Sequence, residues 1–294
     1  MKFRIIISRW ANFYFFVQNL SEWHFSNRKE YNILWRKELG VFSMEEEDIL
    51  KQFREIRLKY PQSRSCFESA FFLSEDPFSK LSDILPTTQY QITKNAFLLL
   101  EKKFNSLYAK DLPLLHSWQK ALAEIANDEQ FINTALTSLN SLFKTSIREK
   151  DIDIYLLFST TEHTGGGANI NNYSISVESS RYPLEKLNHV IGIIWHETIH
   201  LVFQNQYFYP LLMEYFSEDR QSADFINEVT IGALFPKGMM GIRLLKNKPT
   251  ARLSPEFNIE QTTQTLNLIK EYLDQNKRLD EDYLKRLELI IKKA

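Results

Sequence analysis

The sequence predicts an α+β fold that is mostly helical, with a small mixed sheet packed on one buried helix. Three observations lead there. Glycine and proline number only 8 and 9 in 294 residues, too few for the many turns of a sandwich or barrel. Apolar residues recur at helical spacing over most of the chain, while β-like alternation is confined to a few short stretches. No internal repeat or low-complexity linker appears, so residues 1–294 are expected to form a single compact unit. Within it, 1–150 reads as an N-terminal strand plus a helical region, 151–245 as the core that carries the chemistry, and 246–294 as C-terminal helices.

Taken in order, Lys2 to Ser8 are rich in Ile and suit a strand, and Arg9 to Trp23 are too densely apolar for a surface helix. Met44 to Tyr60 predict a helix, with Ser43 as cap, Glu45 to Glu47 in the first turn where the dipole favours anions, and Pro61 just past the end. Residues 62–87, punctuated by Pro77 and Pro86, show no clear period and are expected to be irregular or short helical turns. Helical spacing returns from Tyr90 to Thr145, through Phe97, Leu100, Phe104 and Leu107; breaks near Pro113 and Asn127 divide this stretch into three helices. At Asp151 the texture changes. Ile152, Ile154, Leu156 and Phe158 alternate as a strand, Tyr173 to Glu178 read as a second, and Gly165 to Gly167 form a glycine-rich turn between them.

Seven of the eight glycines fall between 165 and 241, which concentrates unusual backbone demands in that window. Leu184 to Gln206 predict a well-buried helix from Leu187, Val190, Ile191, Ile194, Leu201 and Val202. Ser222 to Leu234 predict another, with Ser222 as cap and Pro236 and Gly238 after its end. The tail gives helices at Asn258 to Gln275 and, capped by Asp280, at Asp280 to Lys293.

Composition excludes several classes. With 36 basic against 37 acidic side chains the formal net charge is −1, so no global basic field draws the chain to nucleic acid or an anionic membrane. A single cysteine, Cys66, rules out an internal disulfide, a CxxC redox pair and a cysteine-based zinc site, and reads as a small buried hydrophobe. The N-terminal apolar triplet Ile5 to Ile7 is interrupted by Arg9 without a small-residue cleavage pattern, and runs such as Phe13 to Val17 fall far below the ~20 residues of a membrane span. A cytoplasmic protein is expected, and the 22 Phe and 13 Tyr mostly predict a core.

The informative string is His196, Glu197, Thr198, Ile199, His200. Given only 6 histidines in the chain, a chance HExxH is expected about 0.01 times. On a helix, residues four apart share one face, so both imidazoles can reach one metal ion, and Glu197 can approach a metal-bound water without ligating the metal. A catalytic zinc site takes three protein ligands. No histidine follows His200, and Phe203 and Gln206 stand where a metzincin would carry its glycine and third histidine. The third ligand is therefore a carboxylate among Glu214, Glu218, Asp219, Asp224 and Glu228. Glu228 is favoured because it falls mid-helix among apolar residues, where a metal ion would offset its burial. Glu214 reads as a solvated residue, Glu218 and Asp219 as loop or capping residues, and Asp224 as a hydrogen-bond partner for the outer nitrogen of an imidazole or a first-turn dipole partner.

The motif HETIH followed by Asn227 and Glu228 on a later helix resembles the gluzincin zinc metallopeptidases, which include thermolysin-like and alanyl-aminopeptidase-like enzymes. The resemblance spans 151–236 and implies a zincin-like core in which His196, His200 and Glu228 bind Zn2+ and Glu197 is the general base. Two departures stand out. Thermolysin-like sequences place an Asp four residues after the ligand Glu, whereas this chain has Gly232, and Gly165 to Asn169 only loosely match the aminopeptidase signature. Recognition of a free substrate N-terminus is therefore not supported.

The expected function is zinc-dependent hydrolysis of peptide bonds in a peptide or protein substrate. The alternative is a zinc-binding regulatory or interaction protein with little or no turnover. His163, Tyr207, Tyr209 and Tyr215 are candidate oxyanion donors by their nearness in sequence, and Ile170 to Glu178 is a candidate edge strand for an extended substrate.

Overall fold

A computed structural model of the chain describes residues 1–24, 27–59, 64–169 and 173–292, with the backbone alone at 64–66. Cys66 and Pro61 thus lie outside the described side chains. The fold is α+β and 66% helical, with one four-stranded mixed sheet. In order, the elements are β1 (Lys2–Ile6), α1 (Arg9–Ser21), α2 (Lys29–Leu39), α3 (Met44–Lys59), α4 (Arg64–Leu73), α5 (Pro77–Ser82), α6 (Thr87–Ile125) and α7 (Glu129–Leu142). Then come β2 (Asp151–Leu157), β3 (Gly165–Asn169), β4 (Ser174–Glu178), α8 (Leu187–Thr198), α9 (Phe208–Tyr215), α10 (Arg220–Gly232), α11 (Met239–Leu245), α12 (Ile259–Asp274) and α13 (Glu281–Ile291).

The sheet order is β1-β2-β4-β3; β1, β2 and β4 run parallel, and β3 closes the edge antiparallel to β4. Alternation along β2 splits the core in two. Ile152, Ile154 and Leu156 join a cluster with Val190, Ile191 and Ile194 of α8, while Tyr155 and Leu157 join the other cluster, with Phe16 of α1 and Phe104 of α6. A sheet covered on both faces needs apolar residues on both, which is why β2 is buried almost throughout. The first helix is apolar all round because it is enclosed. Its buried Asn12 caps the end of β2, donating to Leu156 O at 2.9 Å and accepting from Phe158 N at 3.0 Å.

Local signals hold at several helix starts. Ser43 Oγ accepts from Glu46 N while Glu46 returns a bond to Ser43 N, at 3.1 and 2.7 Å, and Asp280 caps α13. Three expectations are corrected. The stretch expected to be irregular or short helical turns holds one short helix of that kind, α5, which starts on Pro77 with Asp76 as cap, but also the ten-residue α4. The break at Pro113 does not occur: α6 runs 39 residues through it, so the stretch contains two helices and not three. An interior proline costs about 3 kcal/mol, but Leu115 and Leu122, fully buried just beyond it, return about 1.5–3 kcal/mol each, and the helix continues. Finally, α10 is capped by Asp219 rather than Ser222.

A buried ionic knot ties α2 and α6 to the segment that follows β4. Asp111 of α6 is 1% exposed and meets Arg181 at 2.8 Å and the Ser180 hydroxyl at 2.6 Å, and Arg181 in turn holds Glu38 of α2 in a bidentate pair. The Arg181 hydrogen bond holds the Glu38 carboxyl below its ordinary range against the opposing effect of burial. Its contribution is therefore complete at neutral pH and is lost on acidification, as the carboxyl protonates. Arg181→Ala is expected to destabilise the fold by about 3–5 kcal/mol, since Asp111 would stay buried and uncompensated; urea unfolding measures this. Among the described residues, no helix is long and apolar enough to cross a membrane.

Candidate metal centre

The helix that carries the motif packs on the sheet through Val190, Ile191 and Ile194 and continues beyond Thr198 as a π-helical turn, Ile199–Phe203, and a 3-10 turn, Gln204–Gln206. Local departures from α geometry of this kind concentrate at functional sites. Two glycines set how closely neighbours approach. A Cβ on Gly166 of β3 would stand 2.7 Å from Ile193 Cγ2 and 2.8 Å from Glu197 Cγ, and one on Gly192 would stand 2.6 Å from Pro236 Cβ. Bare backbone at both positions lets α8 lie against the edge strand on one side and the 235–236 turn on the other.

His196 and His200 face each other with their Nε2 atoms 3.1 Å apart, and Glu228 of α10 places Oε1 3.2 Å from His200 Nε2 and Oε2 3.6 Å from His196 Nε2. Both imidazoles are largely buried, with side chains 17% and 12% exposed, while Glu228 is 60% exposed. The mid-helix burial expected of Glu228 is therefore corrected. Its neighbours Asn227 and Val229 point inward, and Glu228 reaches over the mouth of a cavity of about 730 Å³.

Burial pushes the Glu228 carboxyl up, but hydrogen bonds and charge from His196 and His200 outweigh it and hold the group well below the usual range. At His196 burial pushes the pKa down, and the Glu228 contact with the charges of Glu197 and Glu228 reverses the sign and raises it. The imidazoles and the carboxylate thus stabilise one another's charged forms.

The donor spacing also fits a metal. The two Glu228 oxygens are shared out, Oε1 toward His200 and Oε2 toward His196, and one ligand atom from each of the three residues lies within 4.8 Å of the other two. His196, His200 and Glu228 thus form a group that could hold a metal ion.

The outer nitrogens are fixed as metal-binding imidazoles require. His196 Nδ1 lies 3.0 Å from Phe235 O, and His200 Nδ1 lies 2.8 Å from Gln204 Oε1, which also accepts from Asn227 Nδ2 at 2.6 Å. A backbone carbonyl and a clamped amide therefore orient the two rings. Gln204 went unnoticed in the sequence, although its place four residues after His200 put it on the same helix face. Gln204→Leu is expected to weaken metal binding about 10–100-fold, and Gln204→Glu, which keeps the acceptor, much less; competition against a chromophoric chelator reads both.

The other acids stand elsewhere. Asp219 caps α10, and Asp224 accepts from Tyr209 and meets Arg220 at 3.6 Å, with no contact to either imidazole. Glu214 and Glu218 are exposed. The oxyanion candidates are corrected together, because none of the four lines the cavity. His163 lies 3.9 Å from Glu30, Tyr207 packs under Lys144, Tyr209 bonds Asp224, and Tyr215 bonds Glu288. The cavity is lined, besides His196, His200 and Glu228, by Tyr14 and Gln18 of α1, Arg28 and Phe72.

The expected edge strand is corrected as well. Residues 170–172 lie outside the described residues, Ser174–Glu178 form the interior strand β4, and the free edge belongs to the glycine run expected to be a turn. Compared with known proteins, the chain matches no family model, no curated protein and no solved structure.

Proposed function

We propose that this chain is a zinc-dependent peptide hydrolase of gluzincin type, with His196, His200 and Glu228 as ligands and Glu197 as general base. One observation carries the reading: two imidazoles and a carboxylate with ligand atoms within 4.8 Å of one another open onto a cavity that Glu197, the residue after His196, also lines. Two imidazoles and a carboxylate favour zinc among the common divalent ions.

When bound, such an ion lowers the pKa of a coordinated water toward about 7 and polarises a substrate carbonyl. Glu197 takes the proton of the attacking water and passes it to the leaving amine. Gly166 keeps this carboxylate in place, because its bare backbone accepts Glu197 Cγ where any side chain would displace it. The free edge of β3 offers backbone N–H and C=O groups to an extended peptide, so the substrate lies beside the base in strand geometry. The test is to incubate the zinc-loaded protein with an unstructured peptide mixture and find new termini by mass spectrometry. Zinc-dependent cleavage that stops with a chelator supports hydrolysis; a zinc-loaded protein that cuts nothing favours the non-catalytic regulatory alternative.

A further inference from the structure

A second concavity, of about 310 Å³, opens at the start of the α8 helix, where Lys186, Lys237, Lys246 and Lys248 converge from three separate segments. Among the described residues none of these ammonium groups meets a carboxylate, whereas Lys103, Lys110, Lys277, Lys285 and Lys292 all do. Glu185, the one acid in the lining, forms no ion pair. All four lysines are exposed, and Lys246 Nζ donates to Arg243 O at 3.1 Å; like charges gathered around one hollow favour an entering anion.

The framework holding them is fixed. Asn188 donates to Leu245 O at 2.7 Å, and Asn247 donates to Asn188 O at 3.1 Å and to Pro236 O at 2.8 Å, so side-chain amides lace the three segments together. Lys246 ends α11 in the left-handed region, at φ +57°, where glycine or asparagine is usual. His189 lines the same hollow, and its buried Nδ1 has no hydrogen-bond partner. Burial and the charges of Lys237 and Lys186 push its pKa down to about 4, so at neutral pH the ring is uncharged, with a donor to spare.

We propose that this hollow binds a small phosphorylated molecule bearing at least two negative charges, held by the four lysines. Ammonium groups act as point-charge phosphate binders, and the volume suits a sugar-phosphate-sized ligand rather than a larger cofactor. The site is separate from the metal centre and independent of hydrolysis, although the same 235–236 turn borders both, Phe235 O at His196 and Pro236 O at Asn247.

The test is calorimetric titration of the full chain with fructose 1,6-bisphosphate at low salt. Saturable binding of one equivalent, with Kd below about 1 mM, is expected, weakened at least about tenfold in a K186Q/K237Q/K248Q variant and unchanged in K102Q/K120Q, where exposed lysines of α6 are altered. Absence of saturation up to about 10 mM would overturn the proposal. So would equal binding by the triple variant, which would place the ligand at the metal centre. A duplex DNA that displaces the bisphosphate at lower phosphate concentration would overturn it in favour of a nucleic-acid surface.

Discussion

Glu197→Gln is expected to leave the protein folded and metal-loaded while lowering peptide hydrolysis by about 10²–10⁴-fold. The substitution keeps the shape of the side chain, so its packing against Gly166 is undisturbed, and it touches none of the three donors. Only the capacity to accept a proton is lost. The pattern to look for is a collapse of kcat with little change in KM, since a base acts in the transition state and not in ground-state binding. A variant that retains activity within about threefold of wild type would remove Glu197 from the chemistry.

The second large effect concerns stability. An ion that binds the folded chain and not the unfolded one stabilises it by about 4 kcal/mol when supplied at about a thousand times its Kd. For a chain of this size that corresponds to a rise in melting temperature on the order of 10 °C. Chelation is expected to reverse the shift. The candidate ligands come from two helices, α8 with its π-helical extension and α10, so an ion bound there would join separate elements of the chain. Glu228→Ala is expected to lose most of the increment, because the ligand it removes is the sole tie from α10. A melting temperature indifferent to zinc and chelator would mean that the donors hold no ion in solution.

Much of this was legible in the sequence where a signal is local. The pair of histidines one turn apart, the caps at Ser43 and Asp280, and the dense apolar content of α1 each follow from neighbours a few residues away. Glu228 was identified, but on a mistaken premise: it faces the cavity mouth and not the core. Strand β3 was missed because three glycines have poor strand propensity. What puts them in a strand is tertiary, the close packing of α8 and Glu197 over Gly166.

The oxyanion candidates failed for a related reason. Nearness in sequence does not bring Tyr207, Tyr209 or Tyr215 to the cavity, whose lining includes residues of α1 and α4 in the N-terminal region. The run of α6 through Pro113 belongs to the same class, since burial beyond the proline decided against a local rule.

The most direct measurement is elemental analysis with a competitive zinc titration on wild type beside His196→Ala and Glu228→Ala. One zinc per chain in wild type, its loss in His196→Ala and a marked loss of affinity in Glu228→Ala are expected if the two imidazoles and the carboxylate close on one ion. Wild-type protein that takes up no stoichiometric metal, or a Glu228→Ala variant that binds zinc as tightly as wild type, would contradict it.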